Sequence, residues 1–160
     1  AEQVYRDPVG TVDITPTVMG LLKLQPNPQD EGRDLSSILV DVSGTQGNDS
    51  GRPMTFLRNA GSSPNWVAAV DRRYKLILSV NDQPWLFDSQ QDPDELINFN
   101  LLPGTECVPE RISKEMKQNA SKKKDHLYDQ PKITNSKAKL LGVKGCFVTT
   151  RKSPVGCIAR

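Results

Sequence analysis

Histidine is almost missing from this chain: His126 is the only one in 160 residues. Cysteine is scarce as well, with three scattered positions, Cys107, Cys146 and Cys157. These scarcities exclude His-based zinc sites and four-cysteine ribbons, which need four close nitrogen or sulfur ligands. A Ser-His-Asp arrangement would have to run through His126, which stands beside the Lys122-Lys123-Lys124 run and near no plausible nucleophile. Long apolar runs are also lacking. The longest, such as residues 74–80, fall far short of the roughly 20 apolar residues of a membrane-crossing helix. No secretory leader opens the sequence, and residue 1 is alanine rather than methionine. Composition therefore argues against self-contained hydrolytic chemistry, and the length suits one ordinary domain or a small domain with a tail.

Charge of one sign is lacking overall, since 21 Lys+Arg face 19 Asp+Glu. The near balance conceals a split. Residues 1–100 hold 8 basic against 14 acidic side chains, net −6, and residues 101–160 hold 13 against 5, net +8. Such asymmetry fits either a basic arm that meets polyanions or a solvated basic helix and tail on the rim of a larger protein.

What is present reads as short elements. Thr15-Pro16 marks a helix start, with Thr15 as cap and Pro16 at the first helical position, where no N–H is needed. Val18, Leu21 and Leu22 share one face, and the helix is expected to stop near Leu24, before the turn-forming Gln25-Pro26-Asn27-Pro28. Leu35, Ile38 and Leu39 make a second amphipathic turn, and residues 43–51 read as an exposed loop. Strands are expected at 54–57, 66–70, 74–80 and 85–87, joined by short connections that favour an antiparallel meander. Asp92-Pro93 with Glu95 predicts a capped helix directly after the last strand. A more polar helix is expected over 109–124, with Ile112 and Met116 on one face, and a weak hairpin over 140–148.

Two groups of residues invite a site reading. Asp88, Asp92, Asp94 and Glu95 could be taken for a calcium loop, but an EF-hand needs Gly at its sixth place and Glu at its twelfth, and these places hold Pro93 and Phe99. The carboxylates therefore read as helix-capping residues. Trp66 and Trp85 read as core residues of the sheet rather than sugar-stacking platforms. Asn48-Asp49-Ser50 and Asn119-Ala120-Ser121 are glycosylation sequons, which recur by chance.

Several segments together resemble one family. Val12-Asp13-Ile14-Thr15-Pro16-Thr17 is similar to the "V-D-I-x-P-T" segment of the sulfatases of the alkaline phosphatase superfamily. Glu31-Gly32-Arg33-Asp34-Leu35 resembles the "D-G-R-S-L" stretch that follows it. Arg73-Tyr74-Lys75-Leu76-Ile77, Trp85-Leu86-Phe87-Asp88 and Asp92-Pro93-Asp94-Glu95-Leu96-Ile97-Asn98-Phe99 resemble "R-Y-K-L-I", "x-L-Y-D-L" and "D-P-x-E-x-x-N-L". Each is weak alone, but five in order over residues 12–99 are specific.

The resemblance implies the C-terminal portion of a sulfuric ester hydrolase of α+β class. It implies a short antiparallel sheet of three to four strands packed by a C-terminal helix, preceded by a helix from the end of the large α/β domain. The expected division is 1–51 (end of the large domain), 52–125 (C-terminal subdomain) and 126–160 (basic tail). The family uses calcium and a formylglycine made in a C-x-P-S-R motif, a metal-activated covalent nucleophile. Both belong upstream of the matched segments, so no catalytic residue, no metal ligand and no cofactor is expected in this chain, which is expected to be inactive alone. Its expected partners are the missing N-terminal catalytic domain and, in the parent enzyme, a sulfated small molecule or glycan. Nucleic acid is not an expected partner. By the same resemblance the location is extracytoplasmic: periplasmic, secreted or lysosomal.

Cys107-Val108-Pro109-Glu110-Arg111 matches the minimal C-x-P-x-R core, but Glu110 replaces Ser and the position follows the "D-P-x-E" segment, so it reads as a loop cysteine before a helix. Arg58 and Asn59, at a strand end, are candidates for the rim of the parent's cleft, since an Arg fork suits sulfate. Cys146 and Cys157 could bridge the terminal hairpin and leave Cys107 unpaired. Two other readings remain: a non-enzymatic polyanion-binding module using the basic half, and a phosphate or phosphonate ester hydrolase of the same superfamily.

Overall fold

The computed structural model describes residues 5, 7–40, 54–59, 65–105 and 107–123. The chain divides into two compact units, Ala1–Thr55 and Phe56–Arg160. The expected loop over 43–51, the hairpin over 140–148 and the basic tail lie outside the described residues.

In the first unit a 3-10 turn, Thr11–Asp13, leads directly into helix α1, Ile14–Leu21. The helix thus begins earlier than the Thr15-Pro16 signal suggested, and Thr15 lies inside it. Asp13 decides the start. Its backbone N–H donates to the Gly10 carbonyl (3.0 Å), and its carboxylate accepts from the Gly10 N–H (2.9 Å). Pro16 still falls in the first turn, where its missing N–H leaves nothing unpaired. At the other end, Lys23 adopts a left-handed φ of 55°. The Lys23 N–H donates to the Gly20 carbonyl (3.0 Å) and the Leu24 N–H to that of Met19 (2.9 Å), a pattern that reverses the chain ahead of Pro26.

Helix α2, Ser36–Val40, follows. Asp34 accepts the Ser36 N–H at 2.8 Å, and hydrogen bonds from the Ser36 side chain and backbone hold its carboxyl below the ordinary value.

The second unit is built on a four-stranded sheet in the order β1-β2-β3-β4, with strands Thr55–Arg58, Trp66–Val70, Tyr74–Ser79 and Trp85–Asp88. β3 runs antiparallel to both β2 and β4. The expected α+β arrangement holds, down to the number of strands. Register places Val67 opposite Leu78, Ala69 opposite Leu76, and Leu76 opposite Leu86. Strand side chains alternate between faces, so these residues line one face, and all are buried. Helix α3, Cys107–Lys123, packs on β2 and β3. Val108, Ile112 and Met116, at i, i+4, i+8 spacing, are the buried stripe of that helix.

The helix expected at Asp92-Pro93 does not form. The segment makes a single turn, with the Glu95 N–H donating to the Asp92 carbonyl (3.1 Å), and Glu95 then takes φ 56°, which stops any helix there. Asp92 still satisfies a backbone donor, but that of Ile97 (2.7 Å). Glu95 does not reach back to Asp92; its carboxylate pairs with the Lys75 ammonium. Trp85 also departs from expectation. It is 39% exposed on the face opposite Leu86, stacked on Phe87 at 5.9 Å, while Trp66 is half-buried.

Candidate functional site

The motif residues of the first unit converge on one hydrogen-bonded lock. Asp13 is fully buried, and its second carboxylate oxygen accepts the Arg33 N–H at 2.8 Å. The Thr17 hydroxyl donates to the Asp13 carbonyl (2.6 Å) and accepts from the Leu35 N–H (3.1 Å). Arg33 reaches the Tyr5 hydroxyl (3.4 Å) and the Pro8 carbonyl (3.2 Å). Gly32 permits this meeting, because a Cβ there would collide with the Val12 carbonyl. Asp13, Thr17, Gly32 and Arg33 therefore hold residues 32–35 against the start of α1.

A second lock occupies the second unit. Arg73 donates from Nε (2.9 Å) and Nη2 (2.7 Å) to Asp88, whose side chain is only 2% exposed. Burial alone would push the Asp88 carboxyl up. The Arg73 fork and the backbone N–H groups of Gln90 and Gln91 outweigh it and hold the group below the ordinary carboxylate value. The same pairing raises the Arg73 guanidinium. Asp71 accepts the Arg73 and Tyr74 N–H groups (2.8 and 2.6 Å), which shapes the β2–β3 turn, and it pairs with Arg111 of α3. Arg111 also faces Glu115 at 3.6 Å.

Asn98 closes the sheet edge: its carbonyl oxygen accepts the Leu86 N–H (3.0 Å), and its amide donates to the Pro84 carbonyl (3.1 Å). A side chain here takes the place of a neighbouring strand. The charged and amide residues that carried the resemblance in sequence are thus engaged either with backbone groups, as Asp13, Asp92 and Asn98 are, or with one another, as in the Arg73–Asp88 and Lys75–Glu95 pairs, and the sequence could not assign these partners.

The acidic run offers no cation cage. Asp88 serves Arg73, Asp92 the Ile97 N–H and Glu95 the Lys75 ammonium, so these carboxylates do not fit a calcium ion. Among the described residues no group of three or more His, Cys, Asp or Glu side chains could hold a metal. Cys107 is disulfide-bonded, which corrects the reading that left it unpaired, and its partner lies outside the described residues. A sulfur held in a disulfide is also no thiol for conversion to formylglycine. α3 begins at Cys107, two residues before the expected start, so Cys107 is the first helical residue rather than a loop cysteine, and Pro109 is buried in the first turn, where its missing N–H costs nothing. Asn119 of the second sequon is half-buried within the same helix.

Arg58 and Asn59 lie where β1 ends. Arg58 is exposed, whereas the Asn59 N–H donates to the Trp66 carbonyl (3.2 Å) and its amide to the Asn65 side chain (3.4 Å). Asn59 therefore ties the ends of β1 and β2 together, beside the exposed Arg58.

The most unusual surface is on α1. Ile14, Val18, Leu21 and Leu22 fall on one face at i, i+4, i+7, i+8 spacing, and each is 44–64% exposed. Leu39 and Val40 at the end of α2 are exposed as well. The buried residues of α1 are Pro16 and Thr17, so the helix turns its hydrogen-bonded side inward and its apolar stripe outward. Apolar side chains exposed together on one helix face are characteristic of surfaces at which proteins interact. No helix among the described residues is long and apolar enough to cross a membrane.

No family model and no curated protein matches the chain. Solved structures do. BT4656, solved with its substrate D-glucosamine-2-N,6-O-disulfate, superposes with a TM-score of 0.60 and 17% identity over 74% of this chain and 25% of that one. BT1596, a 2-O glycosaminoglycan sulfatase, gives 0.62 and 17% over 73% of this chain and 26% of its own. A third, from a Bacteroides thetaiotaomicron locus for metabolism of multiple glycosaminoglycans, gives 0.59 and 22% over 78% of this chain and 29% of that one. At these identities the likeness is one of fold. The chain has the fold of part of a sulfatase and spans about a quarter of the length of the solved structures it matches.

Proposed function

We propose that this chain is the C-terminal portion of a sulfuric ester hydrolase, in which it completes the large domain and walls part of the substrate cleft. The observation that carries the reading is the outward apolar stripe of α1, in a chain whose fold recurs as about a quarter of solved sulfatases. Burying a leucine or valine stabilises by about 1.5–3 kcal/mol relative to leaving it exposed, so four on one helix face favour a covering surface. The remaining portion of the enzyme is that surface in this proposal, and it brings the formylglycine and calcium.

The substrate class is a sulfated amino sugar or glycosaminoglycan unit, the chemistry named for two of the structural neighbours. Arg58 stands on the cleft rim, where its planar fork suits a sulfate, and Asn59 holds the strand end that carries it. The location is extracytoplasmic. The disulfide at Cys107 supports this, since such bonds persist in oxidising compartments.

The test is the reading frame upstream of Ala1 and the activity of the protein it encodes. An open frame into a C-x-P-S-R motif with paired acidic ligands, and sulfate release from D-glucosamine-2-N,6-O-disulfate, would support the proposal. A frame without that motif, or an enzyme that cleaves phosphate but not sulfate esters, would sink it. In the complete enzyme, Arg58→Ala is expected to raise KM for sulfated substrate several-fold with kcat little changed. Unchanged kinetics would remove Arg58 from the rim.

A further inference from the structure

The head of α3 is held from more than one side. Its buried stripe, Val108, Ile112 and Met116, sits on β2 and β3, and Arg111 pairs with Asp71 in the β2–β3 turn. Cys107 stands four residues before Arg111, so the two lie on neighbouring positions of the helix surface. The other end of α3 is different: past Met116 no residue of the helix is buried. Cys107 is half-buried and disulfide-bonded, and the sequence holds two other cysteines, Cys146 and Cys157. Both follow the far end of the helix in the chain.

We infer that Cys107 is bridged to one of these two, so that the chain leaving α3 at Lys123 returns to the head of the helix as a covalent strap. The geometry of α3 sets what the strap must span. From Cys107 to Lys123 the helix rises about 24 Å, and the chain has to cover that distance back. Residues 124–145, or 124–156, extend to roughly 3.3 Å apiece and reach that far with slack. Either bridge closes a ring with α3 as one side, and the third cysteine stays a thiol. The bond joins two Sγ atoms. The two thiol protons and two electrons pass to a disulfide oxidant by thiol–disulfide exchange, and a dithiol reductant reverses the step. Closing the ring restricts the unfolded chain, so the strap stabilises the seated helix in an oxidising compartment and loses that effect in a reducing one. Nothing in this inference depends on the sulfatase reading.

The experiment maps the bridge in the full chain, purified without reductant and alkylated before digestion with trypsin. The peptide 76–111, which holds Cys107, should appear joined to 145–151 or to 153–160, with the remaining cysteine alkylated. The chain should run as a monomer on a non-reducing gel, and dithiothreitol before alkylation should free all three thiols. In thermal melts Cys107→Ser should unfold about 5 °C or more below the parent chain. One of Cys146→Ser and Cys157→Ser should match it, and the other should melt like the parent. Reducing the parent chain should reproduce the loss and leave Cys107→Ser unmoved. An alkylated Cys107, a Cys146–Cys157 linkage or a disulfide-linked dimer would overturn the strap. Melting of the parent chain unchanged by reduction would overturn its role in stabilising α3. Should Cys107→Ser fail to fold, the peptide map of the parent chain decides alone. None of these results bears on the upstream frame or on sulfate release, so the sulfatase reading stands or falls separately.

Discussion

Helices α1 and α3 treat their apolar residues in opposite ways. In α3 the stripe Val108, Ile112, Met116 is at most 4% exposed against β2 and β3. In α1 the stripe Ile14, Val18, Leu21, Leu22 is left in solvent, while Thr17 is buried in hydrogen bonds. Polar scaffolding is equally developed in both units: Asp13 organises one and Asp88, Asp92 and Asn98 the other. The difference lies in apolar burial. Directional bonds can fix a local shape without a core, but the free energy that makes a unit stable comes mainly from area removed from water. The second unit has that core on one sheet face, whereas the first unit leaves the apolar stripe of its helix uncovered.

Several substitutions would break or sharpen this contrast. The largest effect is expected for Ile112→Ala, which empties a fully buried position and should lower stability by about 2–5 kcal/mol in urea unfolding. A loss below 1 kcal/mol would mean that α3 is not seated on the sheet. Arg73→Ala comes next, because it leaves the Asp88 carboxylate buried without its cation. A buried pair broken this way costs about 3–5 kcal/mol, and the partial exposure of Arg73 reduces the expectation to about 1–3 kcal/mol.

The same lock sets an acid sensitivity. The folded pKa of Asp88 lies below its unfolded value, so its stabilisation is fully present above the ordinary carboxylate range. It is lost as pH falls through the lowered folded value. Melting temperatures from pH 7 to pH 3 should therefore fall more in the parent chain than in Asp88→Asn, and parallel curves would remove Asp88 as a source of acid lability. The smallest effect is expected on α1: Leu21→Ser with Leu22→Ser should change the stability of this chain by only about 0.5 kcal/mol per site. In a complete enzyme the same pair should cost several times more, because there the stripe would be covered. Equal small effects in both settings would show that nothing packs on α1.

Most of the second unit was legible beforehand. Short β-branched and aromatic runs separated by turn residues located four strands, and the spacing of Ile112 and Met116 located the helix face, because alternation and 3.6-residue periodicity are local consequences of burial. The helix expected at Asp92-Pro93 failed for a reason no local signal carries. Lys75, twenty positions upstream, draws Glu95 into an ion pair, and a left-handed φ at Glu95 ends the turn. Trp85 was assigned to the core by its residue type, yet it sits on an edge strand on the face away from α3. The rim pair was half legible: a strand end at Arg58-Asn59 follows from pattern, but the bond from Asn59 to Asn65 depends on where the returning strand lies.

The sequence by itself determined the class of the fold, the order of the strands and the stripe of α1, since each depends on contacts within a few residues or on the order of successive hairpins. It also excluded His-based zinc sites and four-cysteine ribbons by composition. Only the tertiary structure decided what the charged motif residues do. Asp13 finds Arg33, Asp88 finds Arg73, and Asn98 finds the edge of β4 across 20, 15 and 12 positions. A carboxylate in a sequence can ligate a metal, activate a water or hold a backbone amide. Which of these it does is settled by the donors that the fold brings within about 3 Å.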